Sequence, residues 1–352
     1  MSAKEKPEKA VERGVLTAFG QRWNKRAKAE VAFAPEDEEL TPGMIATELP
    51  AVDSILGGGI PRGRTSIFIG EPAAGKTLLS QLVIAAAQRQ GGKAIFFDAE
   101  RTYDPKWFAM TGVDTSPEKL LIMRPHSLEQ AFDMIEDALK NVRPDVLVVD
   151  SVPSLIPQAI LDAKMEEKDF QGLAARKVTE GVKKMTQFNR STALIYINQI
   201  RTDMGVRYGN PESMPGGKGL RHWSSLTVRV RRGKFITTAG GDGLGEAAFD
   251  DVSAKKDALK IGFWLRIRTE KNKMTVGYQE TDVKFFFDGT VDPVGSLIHL
   301  AIQRGVIEAM AGGFYQVPGV KKKLHGLGAV EELLKANSGL KDRIVAEIEE
   351  AR

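Results

Sequence analysis

Residues Gly70–Thr77 read Gly-Glu-Pro-Ala-Ala-Gly-Lys-Thr, a complete Gly-x4-Gly-Lys-Thr loop set between the strand-like run Thr65–Ile69 and the apolar helical stretch Leu78–Gln88. A strand that turns through glycines into a helix start is a cradle for polyphosphate. Gly70 and Gly75 let backbone N–H groups curl around phosphate oxygens without a Cβ in the way, and the helix aims its positive dipole end at them. The candidate nucleotide contacts run from Gly70 through Glu71, Pro72, Ala73, Ala74, Gly75, Lys76 and Thr77 to Leu78. Lys76 would reach the β- and γ-phosphates of ATP and Thr77 a Mg²⁺ ion.

The loop commits the surrounding chain to an α/β fold. Strand-like runs at Ser66–Ile69, Ala94–Phe97, Val146–Val149, Ala193–Ile197 and Leu226–Val230 alternate with helical patterns. Continuous apolar strands between helices predict a mostly parallel central sheet covered on both faces, with the chemistry at the carboxyl ends of the strands. Ahead of this core, Val11–Lys28 forms an amphipathic helix carrying Val15, Leu16, Phe19 and Trp23 on one stripe. The run Val31–Ala34 and the Pro-bearing break that follows complete an N-terminal segment over residues 1–44, which reads equally as an arm or as a helix packed on its own domain. The core spans 45–288, and 289–352, with three helical patterns and eight basic against eight acidic residues, reads as a small separate C-terminal α/β domain. The Gly-rich stretch Gly233–Asp257 reads as a long hairpin connection.

Composition excludes several classes of function. The chain has no cysteine, and its four histidines are scattered, so disulfides, thiol chemistry and a zinc centre are ruled out. A metal here is a hard ion on oxygen ligands. No apolar run approaches the length of a membrane span, and the charged start Met1–Ala10 is no secretory signal, so a cytoplasmic protein is expected. Charge is uneven along the chain. Arg201–Lys234 holds eight Lys and Arg against two acids, an excess suited to tracking a phosphate backbone.

Three polar strand ends complete the loop. Val146–Val149 ends at Asp150, placed to support the Mg²⁺ shell beside Thr77. Ala94–Phe97 leads into Asp98-Ala99-Glu100, which sets Glu100 at the same edge as a general base for the attacking water. Ala193–Ile197 ends in Asn198-Gln199, where a carboxamide can touch a γ-phosphate, or simply close the strand end with a hydrogen bond, while its backbone runs straight into the basic segment.

Together with the loop, Phe97-Asp-Ala-Glu100, Val149-Asp-Ser151, Gly172-Leu-Ala-Ala-Arg176, Ile197-Asn-Gln-Ile-Arg201 and Tyr208-Gly-Asn-Pro-Glu-Ser-Met-Pro-Gly-Gly217 occur in an order and spacing that resemble the RecA family of homologous recombinases. The resemblance runs from about Leu49 to Ala351. It implies a RecA-like ATPase core with an N-terminal oligomerisation arm, and an ATP-dependent recombinase that polymerises as a helical filament on single-stranded DNA and pairs it with double-stranded DNA. It implies further that Glu100, Lys76 and Gln199 act in DNA-stimulated hydrolysis, that Asp104 and Trp107 contact the adenine, and that Lys271 and Lys273 reach a neighbouring subunit's γ-phosphate. The two DNA-binding loops fall at about 158–172 and 200–217. There Met204 and Val206 would wedge between bases, with Arg176, Lys183, Arg201, Arg207, Tyr208 and the amides of Gly216 and Gly217 as further DNA contacts.

The order Glu71-Pro72, Arg101 in place of a common histidine, the length of the 233–257 connection and the missing acidic tail mark a divergent member, phage-encoded chains included. Two other readings share the motifs: a hexameric helicase or branch-migration ATPase, and a non-catalytic filament protein that binds DNA. Closed rings would favour the first, and loss of Glu100, Lys76 or Asp150 the second.

Overall fold

The computed structural model describes residues 6–29, 31–35, 37, 40–41, 43–164, 172–202, 212–238 and 259–351. Two compact units are present, residues 1–43 and 44–352. The first holds α1 (Lys6–Ala27). Along it Val15, Leu16, Phe19 and Trp23 are exposed, and the guanidinium groups of Arg22 and Arg26 lie over the Phe19 and Trp23 rings. The Asn24 side chain ties the following run to the helix, accepting from the amides of Val31 and Ala32 and donating to the Ala32 carbonyl.

The second unit begins with β1 (Met44–Ile45), α2 (Pro50–Leu56), β2 (Ile60–Pro61), β3 (Thr65–Gly70), α3 (Lys76–Arg89), β4 (Ala94–Asp98), α4 (Pro105–Met110) and β5 (Leu120–Met123). It continues through α5 (Leu128–Asp137), β6 (Val146–Asp150), α6 (Gln158–Asp162), α7 (Leu173–Phe188), β7 (Ala193–Gln199), β8 (Arg201–Thr202), β9 (Glu212–Ser213) and α8 (Gly217–Trp223). The remainder is β10 (Leu226–Thr237), β11 (Lys260–Asn272), β12 (Glu280–Phe286), α9 (Pro293–Gln303), β13 (Glu308–Met310), β14 (Phe314–Gln316), β15 (Leu324–His325), α10 (Leu327–Ala336) and α11 (Ser338–Glu350).

Eight strands form the central sheet in the order β12-β11-β10-β3-β7-β6-β4-β5. From β10 to β5 every pairing is parallel, and β11 and β12 add an antiparallel edge. The apolar strand runs are continuous because both faces are covered, and alternate residues serve opposite layers. Phe68, Phe96, Val148, Ile195 and Val228 face the core built with α2 and α3. Ile67, Ile95, Val149, Leu194 and Tyr196 face the layer of α5 and α7. β5 is absent from the sequence reading because it is a four-residue edge strand with only Leu120 buried.

Residues 289–352 do not form a core of their own, which differs from the expected separate domain. Leu297, Ile298 and Leu300 of α9, Val330 and Leu334 of α10, and Ile344 and Ile348 of α11 join the same apolar cluster as Ile45, Val52 and Ile55. Only a short turn separates β12 from α9, so that helix lies directly against the sheet. A three-stranded antiparallel sheet, β13-β14-β15, supplies the β part of this segment. At the start of the Gly-rich stretch β10 continues as strand through Thr237: past an irregularity at Gly233-Lys234, Phe235, Ile236 and Thr237 pair with Phe263, Gly262 and Lys260 of β11, and 239–258 lies outside the described residues.

Candidate functional site

The phosphate loop sits where the sequence places it, between β3 and α3. Two glycines are dictated by space, and the second by its dihedral angle as well. A Cβ on Gly70 would stand 2.2 Å from the Val230 carbonyl oxygen, and one on Gly75, at φ +96°, 2.6 Å from Leu265 Cδ1. A cavity of about 310 Å³ beside the loop is lined by Pro72–Leu78, Glu100, Trp107, Asp150, Gln199 and Phe263.

Sheet register brings the polar strand ends together. Gly70 of β3 is level with Gln199 of β7, and Asp98 of β4 with Asp150 of β6. The amides of Ala99 and Glu100 both donate to the Asp150 carbonyl, at 2.9 and 3.2 Å, which holds the Glu100 backbone against the end of β6. Gln199 Nε2 lies 3.5 Å from Glu100 Oε1, and the same oxygen accepts the Ser151 hydroxyl proton. Thr77 Oγ1 donates to Asp150 Oδ2 at 2.6 Å. Lys76 Nζ donates to the carbonyls of Gly70 and Glu71 at 3.2 and 2.7 Å.

Burial sets the electrostatics. The Asp150 carboxyl is pushed up from its usual 3.8 to about 6, first by burial and then by the charges of Glu100 and Asp98, against the Thr77 hydrogen bond and the Lys76 charge. Burial likewise lowers the Lys76 ammonium, opposed by Asp150, Glu100 and Glu71. A raised acid has a definite sign in linkage. The native state keeps the Asp150 proton to higher pH than the unfolded chain, so stability falls as pH rises from about 4 through about 6, by roughly 2 to 3 kcal/mol. Asp150→Asn is therefore expected to raise the melting temperature of the nucleotide-free protein in magnesium-free buffer, by a margin that grows between those pH values and then levels. A margin independent of pH would contradict the assignment.

The remaining candidates scatter. Trp107 lines the cavity and meets Phe285 edge-on at 6.0 Å. Asp104 is not among the lining residues. Its carboxylate caps α4, accepting from the amides of Lys106 and Trp107. Lys271 and Lys273 also lie outside the lining. Lys271 Nζ donates to the carbonyls of Arg221 and His222 at the end of α8, at 2.8 and 3.0 Å, and Lys273 is exposed.

Arg176 and Lys183 are exposed on α7, with Lys183 Nζ 5.9 Å from the Trp223 ring centre. Gly216 and Gly217, at φ +85° and +75°, start α8 against that helix, where a Cβ on Gly217 would stand 3.2 Å from the Ala175 Cβ. Loop residues Met204, Val206, Arg207 and Tyr208 lie outside the described residues, and Arg201 is described only as backbone of β8.

A larger groove of about 1080 Å³ adjoins Gly70–Ala74 and carries Arg221, Arg229, Arg231, Arg232, Arg266, Arg268 and Lys271 against Glu71, Glu270 and Glu280. Glu270 accepts from both Arg221 and Arg229. The buried Arg266 makes a two-bond pair with Asp282, at 2.8 and 3.0 Å. The basic excess of 201–234 is legible in the sequence, but Arg266 and Arg268 are not, since it is the antiparallel pairing of β11 with β10 that sets them opposite Arg231 and Arg229. Sequence reading also passed over Phe263, Ser151 and the buried Asp98, which pairs with Arg124.

Among the described residues no helix is long and apolar enough to cross a membrane. The RecA N-terminal domain model matches residues 24–292. Curated relatives named Protein RecA include that of Thermus thermophilus, 34% identical over 88% of this chain and 85% of its own length, and that of Aquifex aeolicus, 34% identical over 89% and 85%. The Deinococcus radiodurans protein is 31% identical over 96% of this chain and 88% of its own. With the phosphate loop, the strand-end acids and the parallel sheet in this arrangement, and with relatives matched along nearly the whole length, the chain belongs to the RecA family of recombinases, DNA-dependent ATPases.

Proposed function

We propose that this chain polymerises on single-stranded DNA as a helical filament, pairs that strand with homologous duplex, and uses ATP hydrolysis to time its grip. The reading rests on one observation above the others. Glu100, Asp150 and Gln199 meet the phosphate loop at one sheet edge, and the strand that ends in Gln199 continues directly into the segment 200–217.

In this reading Lys76 and the amides of the loop hold the triphosphate, and Trp107 offers an aromatic face to the base. The Thr77–Asp150 pair fits a hard divalent cation, since a hydroxyl and a carboxylate 2.6 Å apart face the cavity. Among the described residues no group of three His, Cys, Asp or Glu could hold a metal ion by itself, so phosphate and water oxygens would complete the shell. Thr77 and Asp150 would hold magnesium there, and when bound it would supply positive charge against the charge that builds on the phosphate oxygens. Glu100 takes a proton from the attacking water, and Gln199 bonds the γ-phosphate and carries its presence to 200–217. Lys271 and Lys273 serve a neighbouring subunit. The wide arginine-lined groove suits the backbone of a second DNA strand, and homology is then read by base pairing.

The test is the steady-state ATPase rate with and without single-stranded DNA. DNA is expected to raise turnover, with a dependence on salt that reflects phosphate contacts. A rate indifferent to DNA would contradict the proposal.

A further inference from the structure

We propose that Ser151 is a positioning residue for hydrolysis: its hydroxyl pins one carboxylate oxygen of Glu100, so that the other is the oxygen that accepts the water proton. The proposal rests on the reading of Glu100 as general base. Glu100 is an exposed side chain with three rotatable bonds at the end of a strand, and nothing in its own sequence neighbourhood fixes its rotamer.

Ser151 is fully buried, so its hydroxyl proton needs a partner, and that partner is Glu100 Oε1. Ser154 Oγ lies 3.3 Å from Ser151 Oγ. A serine has one proton to donate, and that of Ser151 is committed, so Ser154 is the donor in this second bond. The result is a directed relay, Ser154 to Ser151 to Glu100, which begins just ahead of α6 at the entry to the 158–172 segment. Gln199 Nε2 approaches the same oxygen, Oε1. No hydrogen bond to Glu100 Oε2 is present among the described residues, and Glu100 lines the cavity beside the phosphate loop.

Two donors on one oxygen and none on the other do chemical work. They restrict the carboxylate to one orientation before the reaction begins, and placement of a catalytic group within a fraction of an ångström is worth orders of magnitude in rate. Removing the hydroxyl should therefore harm kcat and leave nucleotide binding alone.

The experiment compares Ser151→Ala with the parent protein on single-stranded DNA. Expected is a fall in kcat of about 10- to 100-fold with KM for ATP unchanged. Affinity for a fluorescent non-hydrolysable ATP analogue should also be unchanged. A third readout needs no nucleotide: the carboxylate infrared band of Glu100, isolated as the difference between parent and Glu100→Gln, should shift when Ser151→Ala is introduced into both. A kcat within twofold of the parent would overturn the proposal, as would a loss of analogue affinity in step with kcat or an unmoved band. Residual turnover in Glu100→Gln equal to that of the parent would overturn the underlying base assignment, a result distinguishable from failure of the Ser151 proposal.

Discussion

Replacing Lys271 and Lys273 together by alanine is expected to lower DNA-stimulated ATP turnover by about 10³-fold or more, the scale on which a cationic finger supplied in trans acts. The geometry makes the expectation specific. Neither ammonium lines the cavity of its own chain, and Lys271 is instead held on the carbonyls at the end of α8. Its burial and the nearby charges of Lys273 and Arg221 lower its affinity for a proton, a cost that an anionic phosphate would relieve. Affinity for ATP in the unassembled protein should be unchanged, because the phosphate loop and Lys76 are untouched. A variant that hydrolyses ATP at the parent rate would remove the lysines from the mechanism.

The second large effect belongs to Glu100→Gln, which should cut turnover by about 10²- to 10⁴-fold while ATP still raises affinity for single-stranded DNA. Glutamine keeps the size of the side chain and can accept the Ser151 hydrogen bond, but it cannot take up the proton. Binding and hydrolysis are thereby separated. ATPase assays and DNA binding by fluorescence anisotropy, run on the same preparation, check both halves. Surviving turnover would assign the base elsewhere.

Much of this site was legible in the sequence because its residues end apolar runs. Asp150 closes Val146–Val149, Gln199 follows Ala193–Ile197, and a buried parallel strand announces its carboxyl end by its first polar residues. The glycines of the loop were legible from their Gly-x4-Gly-Lys-Thr spacing, and the structure adds that a Cβ would meet the Val230 carbonyl oxygen at Gly70 and the Leu265 side chain at Gly75. What the sequence withheld depends on register. Ser151 meets Glu100 only because β4 and β6 are neighbours with Asp98 level with Asp150, and Arg266 meets Asp282 only because β11 pairs with β12 at that position. The C-terminal helices show the same limit. Their periodicity reveals a buried face in α9, α10 and α11, but not that α2 and the central sheet lie under it.

The central claim is that each ATP site is completed by the next subunit. A mixing experiment tests it directly, using Glu100→Gln subunits, which keep the lysines, and Lys271→Ala/Lys273→Ala subunits, which keep the base. Each alone should be nearly inactive on single-stranded DNA. In an equal mixture, random head-to-tail assembly pairs an intact base with intact neighbouring lysines at about one interface in four, so the ATPase rate should recover to about a quarter of the parent rate. A mixture no more active than the sum of its two components would contradict the shared site.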